Sequence, residues 1–127
     1  MRHNEIARII VDTAFHIHKT LGPGLLESVY HEILKYELES IGLHVAKEVP
    51  IPVTWKQVTM ELGFRADLIV EEKVIVEIKS LEKLNPVHSK QLLTYLKIAD
   101  KRLGLLVNFG EQLIKNGIHR IVNQLEE

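Results

Sequence analysis

Two carboxylates and an amine lie close together in an otherwise apolar part of this sequence. They belong to Asp67, Glu77 and Lys79. Mg²⁺ is held in proteins by oxygen ligands, usually one or two carboxylates, and keeps several of its waters. An ammonium beside such a site could orient an attacking water or stabilise a developing negative charge. The three side chains therefore suggest metal-assisted hydrolysis, provided that the fold brings them together.

The elements that carry these residues are predicted to be two strands of a β-hairpin. The segments Phe64–Val70 and Val74–Ser80 are rich in β-branched residues, which is typical of strands. Residues 71–73 between them are enough for a three-residue hairpin loop. With a loop of that length, the strands pair so that Asp67 lies opposite Glu77.

This register also divides the hairpin between two faces of the sheet, because side chains alternate along a strand. The polar face is expected to carry Arg65, Asp67, Glu77 and Lys79. The apolar face is expected to carry Phe64, Ala66, Leu68, Val70, Val74, Val76 and Ile78.

The opposed carboxylates have two explanations. Directly opposite residues have Cβ atoms roughly 4.5–5.5 Å apart, where like charges destabilise a sheet, so a divalent cation between them is one explanation. The other is charge balance by Arg65 and Lys79 on a solvated face, where ion pairs are common and individually weak. The second strand is almost wholly apolar outside Glu77 and Lys79, which indicates a buried central strand and favours the metal site.

Length and composition are those of an ordinary globular domain. The chain has 127 residues, of which 46% are hydrophobic and 26% charged, so we expect one domain over residues 1–127. No apolar run approaches the ~18 residues of a membrane span, so no membrane partner is expected. The absence of cysteine excludes disulfides and thiolate metal sites, and it fits a cytoplasmic location. The net charge of −1 provides no global basic field for nucleic acid.

Two helices are predicted before the strands. Apolar periodicity places the first from Asn4, as the N-cap, to about Thr20, and the second from about Leu25 to Ile41, ended by Gly42. Glu27 either points inward at the end of the apolar face or interacts with the helix dipole, an effect of ~0.3–1 kcal/mol. Helix geometry alone favours the dipole, and it favours a core position for Tyr30.

An edge strand and a βαβ unit complete the predicted sheet. The segment after the second helix is extended, and Pro50 and Pro52 place it at an edge or a bulge because neither can donate to a ladder. The strand 74–80, a helix over 86–100 and a strand over 103–109 fit a right-handed crossover with parallel strands.

Polar residues on the crossover helix form a further candidate group. His88, Gln91 and Tyr95 fall at positions i, i+3 and i+7 and therefore share a stripe. They either project toward the sheet or form a solvated edge, and the spacing alone favours the edge.

The order of these elements and motifs resembles the PD-(D/E)XK nuclease superfamily. Segment 24–30 also fits the GxxExxY motif of one branch of bacterial and archaeal proteins, and the resemblance covers nearly the whole chain. Ala66 replaces the proline of the superfamily motif, but that proline is not a ligand. The positions that match are Asp67, Glu77-Ile78-Lys79, Gly24, Glu27, Tyr30, His88, Gln91, Tyr95-Leu96, Gly104 and Asn108-Phe109-Gly110.

The resemblance implies a restriction-endonuclease-like α/β core, with a central mixed β-sheet flanked by helices in the order ααβββ(β)αβ. The implied activity is hydrolysis of DNA phosphodiester bonds with Mg²⁺, or alternatively Mn²⁺. The implied metal ligands are Asp67, Glu77, Glu27 and the carbonyl of Ile78. The other implied site residues are Lys79 beside the metal, Gln91 lining the site, and Tyr30, His88 and Tyr95 in support.

A second hypothesis is a non-catalytic binding or assembly domain that keeps the nuclease-like fold. The near-neutral charge and small size favour it modestly, and it could form a homodimer through a sheet edge or a helix face. Under the nuclease hypothesis, the surface that meets DNA must be basic only locally. The candidates for that surface are Arg65, Lys79, Lys83 and Lys90.

Overall fold

A single mixed sheet forms the centre of the computed structural model, which describes residues 1–127. Its strands are β1 (Val45–Trp55), β2 (Val58–Val70), β3 (Val74–Lys79), β4 (Leu103–Asn108) and β5 (Ile118–Val122). The strands adjoin in chain order; β3 and β4 are parallel, and the other neighbours are antiparallel. The predicted α/β class with a mixed sheet is confirmed. The two prolines lie in β1, an edge strand, where a missing N–H donor costs least.

Three helices flank this sheet, with bounds close to the predicted ones. They are α1 (His3–Leu21), α2 (Glu27–Ser40) and α3 (Val87–Ala99), and a 3₁₀ turn spans Ile114–Gly117. The predicted N-cap of α1 is wrong, because Arg2 occupies that position. The N–H groups of His3 and Asn4 instead donate to the Glu127 carboxylate, at 3.0 and 3.1 Å.

The helices cover opposite faces of the sheet and enclose two hydrophobic cores. On one face, α1 and α2 pack against apolar residues of β2, β3 and β4 in a cluster of 20 buried residues. On the other face, α3 packs through Leu92 and Leu96 in a cluster of seven. Strand β3 is buried on both faces because helices cover both. Each fully buried large apolar side chain contributes roughly 1.5–3 kcal/mol to this packing.

The predicted apolar face of the hairpin is wrong in one respect. Leu68 lies in the core under α1 and α2, but Phe64 and Ala66 lie in the core under α3. The side-chain alternation is interrupted where β1 places Glu48 between the residues paired with Leu68 and Ala66. Glu48 has φ 51°, in the left-handed region that is rare for a non-glycine residue, and it lies at the level of Asp67, where the faces change.

Candidate active site

Asp67 lies where β2 separates from β3. The ladder between these strands ends at the pair Leu68–Val76, so Asp67 and Glu77 are next in register but do not form a backbone pair. Their carboxylates bridge the gap instead. The N–H of Asp67 donates to Glu77 Oε2 at 2.8 Å, and the N–H of Ile78 donates to Asp67 Oδ2 at 2.8 Å. Each acid therefore has a fixed position, set by the backbone of the opposite strand.

The electrostatics of this pair are unfavourable for two ionised carboxylates. Glu77 is only 8% exposed and lies beside Asp67. Burial, together with the negative charge of Asp67, raises the pKa of Glu77 to about 8, although the ammonium of Lys79 and the N–H of Asp67 oppose this. The site therefore tends to keep a proton where a cation would otherwise be needed. Such an arrangement is typical of functional sites.

Helix α2 brings a second carboxylate and an imidazole to Asp67. Glu27 is the first residue of α2, and His31 follows one turn later on the same face. Nε2 of His31 lies 3.4 Å from Asp67 Oδ2 and 3.7 Å from Glu27 Oε1. One ligand atom from each of these three residues lies within 4.8 Å of the others. Glu27 therefore lies beside His31 and Asp67, while its side chain stays 43% exposed.

The turn before α2 is held in place by Tyr30. The Tyr30 hydroxyl donates to the carbonyl of Gly22 at 2.6 Å and accepts from the N–H of Leu25 at 3.3 Å. Gly24, in the same turn, has φ 126°, which favours glycine. The Tyr30 side chain thus bonds back to the turn that contains Gly24, and Glu27 lies between Gly24 and Tyr30 in the sequence. This gives a physical reason for the spacing of the glycine, the glutamate and the tyrosine in this segment.

Replacing Tyr30 by phenylalanine should loosen this turn while preserving the core. The ring stacks on Phe109 with centroids 4.3 Å apart, and phenylalanine keeps that contact. The lost hydroxyl leaves two backbone groups without their partner, so we expect a loss of about 1–2 kcal/mol in the free energy of unfolding. Urea denaturation measures this, and Tyr36→Phe is the control, because Tyr36 is 70% exposed. An equal loss in both variants would contradict the anchoring role of Tyr30.

The end of β3, which carries Lys79, is also fixed from several sides. The carbonyl of Lys79 accepts from the N–H of Phe109 at 2.9 Å. Ser80 Oγ donates to the carbonyl of Leu25 at 2.7 Å, which ties this end to the turn before α2. Asn108 is fully buried and bonds both the N–H and the carbonyl of Leu81, each at 2.9 Å. The amine and the Glu27 carboxylate are therefore carried by segments that are bonded to each other.

Comparison with known proteins identifies the family of this fold and site. A family model described as the PD-(D/E)XK nuclease superfamily matches residues 4–121. The chain belongs to the PD-(D/E)XK nuclease superfamily. No curated protein and no solved structure gave a significant match. The five-stranded mixed sheet flanked by helices agrees with the core expected of this superfamily.

Members of this superfamily generally use divalent metal ions, and the side chains of this member suit one. Carboxylate oxygens are preferred by Mg²⁺ and Mn²⁺, and Glu27, Asp67 and Glu77 supply them. The raised pKa of Glu77 and the unpartnered Nε2 of His31 are both features that a bound cation would relieve. The predicted ligand Ile78 lies in β3 with its N–H bonded to Asp67.

Helix α3 approaches this superfamily site from the opposite face of the sheet. Tyr95 stacks on Phe64, with centroids 3.9 Å apart. Burial, and then the charges of Glu77 and Asp67, raise the pKa of the Tyr95 hydroxyl, so this residue lies near the carboxylates. Gln91 is exposed, and no hydrogen bond joins it to them. His88 is half-buried, and its Nδ1 has no partner.

His31 is the residue that sequence reasoning missed. The available signal was its spacing of four from Glu27, which puts both side chains on one face of a helix. Its proximity to Asp67 depends on how α2 packs on β2, and no local pattern contains that information.

No helix of the molecule is both long and apolar enough to cross a membrane.

Proposed function

We propose that this chain is a divalent-metal-dependent nuclease of the GxxExxY branch that hydrolyses phosphodiester bonds of DNA. The observation that carries the proposal is the interlocked pair Asp67 and Glu77, with a carboxylate oxygen of Glu27 within 4.8 Å of Asp67. Membership of the superfamily supports a nucleic acid as the substrate. The match to Gly24, Glu27 and Tyr30 supports the branch.

In this proposal the metal, Mg²⁺ or Mn²⁺, is held by Asp67, Glu77, Glu27 and the carbonyl of Ile78. A bound divalent cation supplies Lewis acidity, which neutralises phosphate charge and makes water a better nucleophile at neutral pH. The β2–β3 gap fixes the two acids through backbone N–H groups, so they do not have to reorganise when the substrate binds. Such preorganisation is a large part of electrostatic catalysis.

The proposed role of Lys79 is to position the attacking water or to stabilise the negative charge that develops on the phosphate. Its ammonium lies close enough to Glu77 to oppose the rise of that group's pKa. Lys79 is partly exposed, so its charge remains accessible to a substrate. Arg65, Lys83 and Lys90 are exposed and are the proposed contacts to the DNA backbone. Such contacts supply affinity without sequence preference.

Cleavage of short labelled DNA substrates tests this function. We expect Mg²⁺- or Mn²⁺-dependent cleavage by the wild type, abolished by EDTA. Lys79→Met keeps the aliphatic stem and removes the charge, so cleavage should fall about 100-fold, the loss typical of removing one group that stabilises the transition state. Lys19→Met, an exposed lysine on α1, is the matched control and should cleave normally.

Two outcomes would contradict the proposal. Cleavage that persists in Lys79→Met would remove the assigned role of this lysine. A wild type that binds neither metal at millimolar concentration and cuts no single-stranded or duplex DNA would favour the non-catalytic binding or assembly domain. Calorimetric titration with each metal measures the binding, and homodimerisation stays a prediction that sedimentation can address.

A further inference from the structure

His31 has a buried ring nitrogen that no protein group satisfies. The residue is 7% exposed, and its Nε2 has no hydrogen-bond partner. The nearest acceptors, on Asp67 and Glu27, lie 3.4 and 3.7 Å away. These distances exceed the 2.7–3.2 Å usual for an N–H···O bond. A buried polar atom left without a partner costs about 1–3 kcal/mol, so this nitrogen indicates a missing group between the helix and β2.

The space among the three side chains has the dimensions of a cation site. The ligand atoms of Glu27, His31 and Asp67 all lie within 4.8 Å of one another. Bonds of about 2.1 Å to an octahedral ion separate neighbouring ligand atoms by about 3 Å and opposite ones by about 4.2 Å. The observed separations of 3.4 and 3.7 Å fall between these values. The two distances from His31 are therefore compatible with ligands of one ion, and the third pair, Glu27 and Asp67, lies within the 4.8 Å limit.

We propose that Nε2 of His31 is a metal ligand beside Glu27 and Asp67, and that it makes this site prefer Mn²⁺ to Mg²⁺. The inference rests on the proposed function, from which it takes the existence of a metal site, and it adds a nitrogen donor to an otherwise all-oxygen set. Imidazole binds first-row transition metals well, whereas Mg²⁺ favours carboxylate, carbonyl and water oxygens. The identity of residue 31 therefore selects the ion.

The competing role for His31 is purely structural. A protonated imidazole between two carboxylates would act as a charge partner for Glu27 and Asp67 and would never bond a metal. Both roles predict that replacing His31 affects the site, so a loss of activity alone does not separate them. Direct detection of a nitrogen–metal bond does.

Pulsed electron paramagnetic resonance on stoichiometric Mn²⁺ provides that detection. We expect the wild type, with natural-abundance ¹⁴N histidine, to show modulation from one coordinated nitrogen, which changes to the ¹⁵N pattern after labelling of histidine. His31→Gln should lose the modulation, and the exposed His16→Gln should retain it. Calorimetry should show Mn²⁺ affinity falling about 10-fold in His31→Gln, the scale of a lost metal-site interaction. Mg²⁺ affinity should change less than about 3-fold.

The outcomes separate this inference from the function on which it rests. Mn²⁺ bound without nitrogen modulation in the wild type would overturn the role of His31, and metal-dependent DNA cleavage by the same sample would leave the nuclease proposal intact. Modulation that persists in His31→Gln would assign the nitrogen to another histidine and would also overturn the inference. A wild type that binds neither Mn²⁺ nor Mg²⁺ would overturn both proposals, and one that binds Mg²⁺ but no Mn²⁺ would overturn the role of His31 alone. The wild-type spectrum needs no substitution, so the test does not depend on the folding of the variant.

Discussion

Glu77→Gln is expected to stabilise the metal-free protein at alkaline pH, although it removes a proposed ligand. The folded-state pKa of Glu77 is raised from 4.5 to about 8 by burial and by the charge of Asp67. Between these values the folded chain binds more protons than the unfolded chain, so stability falls as the pH rises. The contribution of the protonated form is fully present below about pH 4.5 and is lost above about pH 8. At about 1.4 kcal/mol per pKa unit, the change amounts to roughly 5 kcal/mol.

Glutamine isolates this titration because it is neutral at every pH and can still accept the N–H of Asp67. The difference in unfolding free energy between Glu77→Gln and the wild type, measured by urea denaturation in EDTA, should grow by up to about 5 kcal/mol from pH 4.5 to pH 9. The exposed Glu82→Gln controls for general charge effects and should differ from the wild type by less than about 0.5 kcal/mol. A difference that stays flat with pH would contradict the buried, carboxylate-opposed environment of Glu77.

Mg²⁺ should restore stability that the wild type loses at alkaline pH, because the cation would take the place of the proton beside Glu77. A ligand that binds the folded state at 100 times its dissociation constant stabilises it by about 2.7 kcal/mol. Glu77→Gln lacks the negative oxygen that the proposed site uses, so Mg²⁺ should stabilise it much less. Side chains that destabilise the metal-free protein but are needed to bind the metal are common where function and stability compete.

The elements of this fold were predictable because they depend on local patterns. Apolar periodicity located the helices, β-branched runs located β3 and the second half of β2, and the βαβ pattern located β4. The short hairpin loop gave the β2–β3 register, and the pairs from Leu68–Val76 to Val70–Val74 follow it. The prolines of β1 indicated the sheet edge, because a proline removes a ladder donor. In each case the information lies within a few residues of the feature.

The failed predictions depend on contacts that are distant in sequence or on an unusual backbone. Nothing in the pattern around Glu48 predicts its left-handed conformation, and at the same level of the strand pair the alternation of β2 changes face, so that Phe64 lies under α3. The N-terminus of α1 is capped by Glu127, at the far end of the chain, so the local rule selected Asn4 wrongly. Propensity rules describe single elements, and tertiary contacts override them.

The residues of the candidate site also divide into those that local patterns place and those that long-range packing places. Asp67 and Glu77 could be placed together from the hairpin register, which is local. Glu27 remained ambiguous from helix geometry, because only the packing of α2 on β2 brings it within reach of Asp67. Resemblance to the superfamily supplied that long-range information for Glu27, but it supplied none for His31, which lies just after the GxxExxY motif of residues 24–30.

Asn108→Ala is expected to lower the free energy of unfolding by about 3–4 kcal/mol. The Asn108 amide accepts from the N–H groups of Leu81 and Gly110 and donates to the carbonyl of Leu81, at 2.9, 3.1 and 2.9 Å. Alanine leaves these groups without partners and opens a cavity at a fully buried position, and both effects destabilise. Urea denaturation measures the loss. The control is Asn85→Ala, which removes an exposed amide that accepts from the N–H of Val87 and should cost about 1 kcal/mol.

Two further variants test whether that loss comes from the contact between Leu81, in the segment after β3, and Gly110, in the segment after β4. Asn108→Asp keeps the acceptor for both N–H groups but sets a buried carboxylate oxygen against the Leu81 carbonyl, so it should be less stable than the wild type. Gly110→Ala would place a Cβ 2.2 Å from the Leu81 carbonyl oxygen, so the loops must separate and the loss should at least equal that of Asn108→Ala. Because Lys79 lies two residues before Leu81, the same separation should also reduce DNA cleavage in the folded fraction. If Gly110→Ala were as stable as the wild type, the close contact of Gly110 with Leu81 would not be what holds the end of β3.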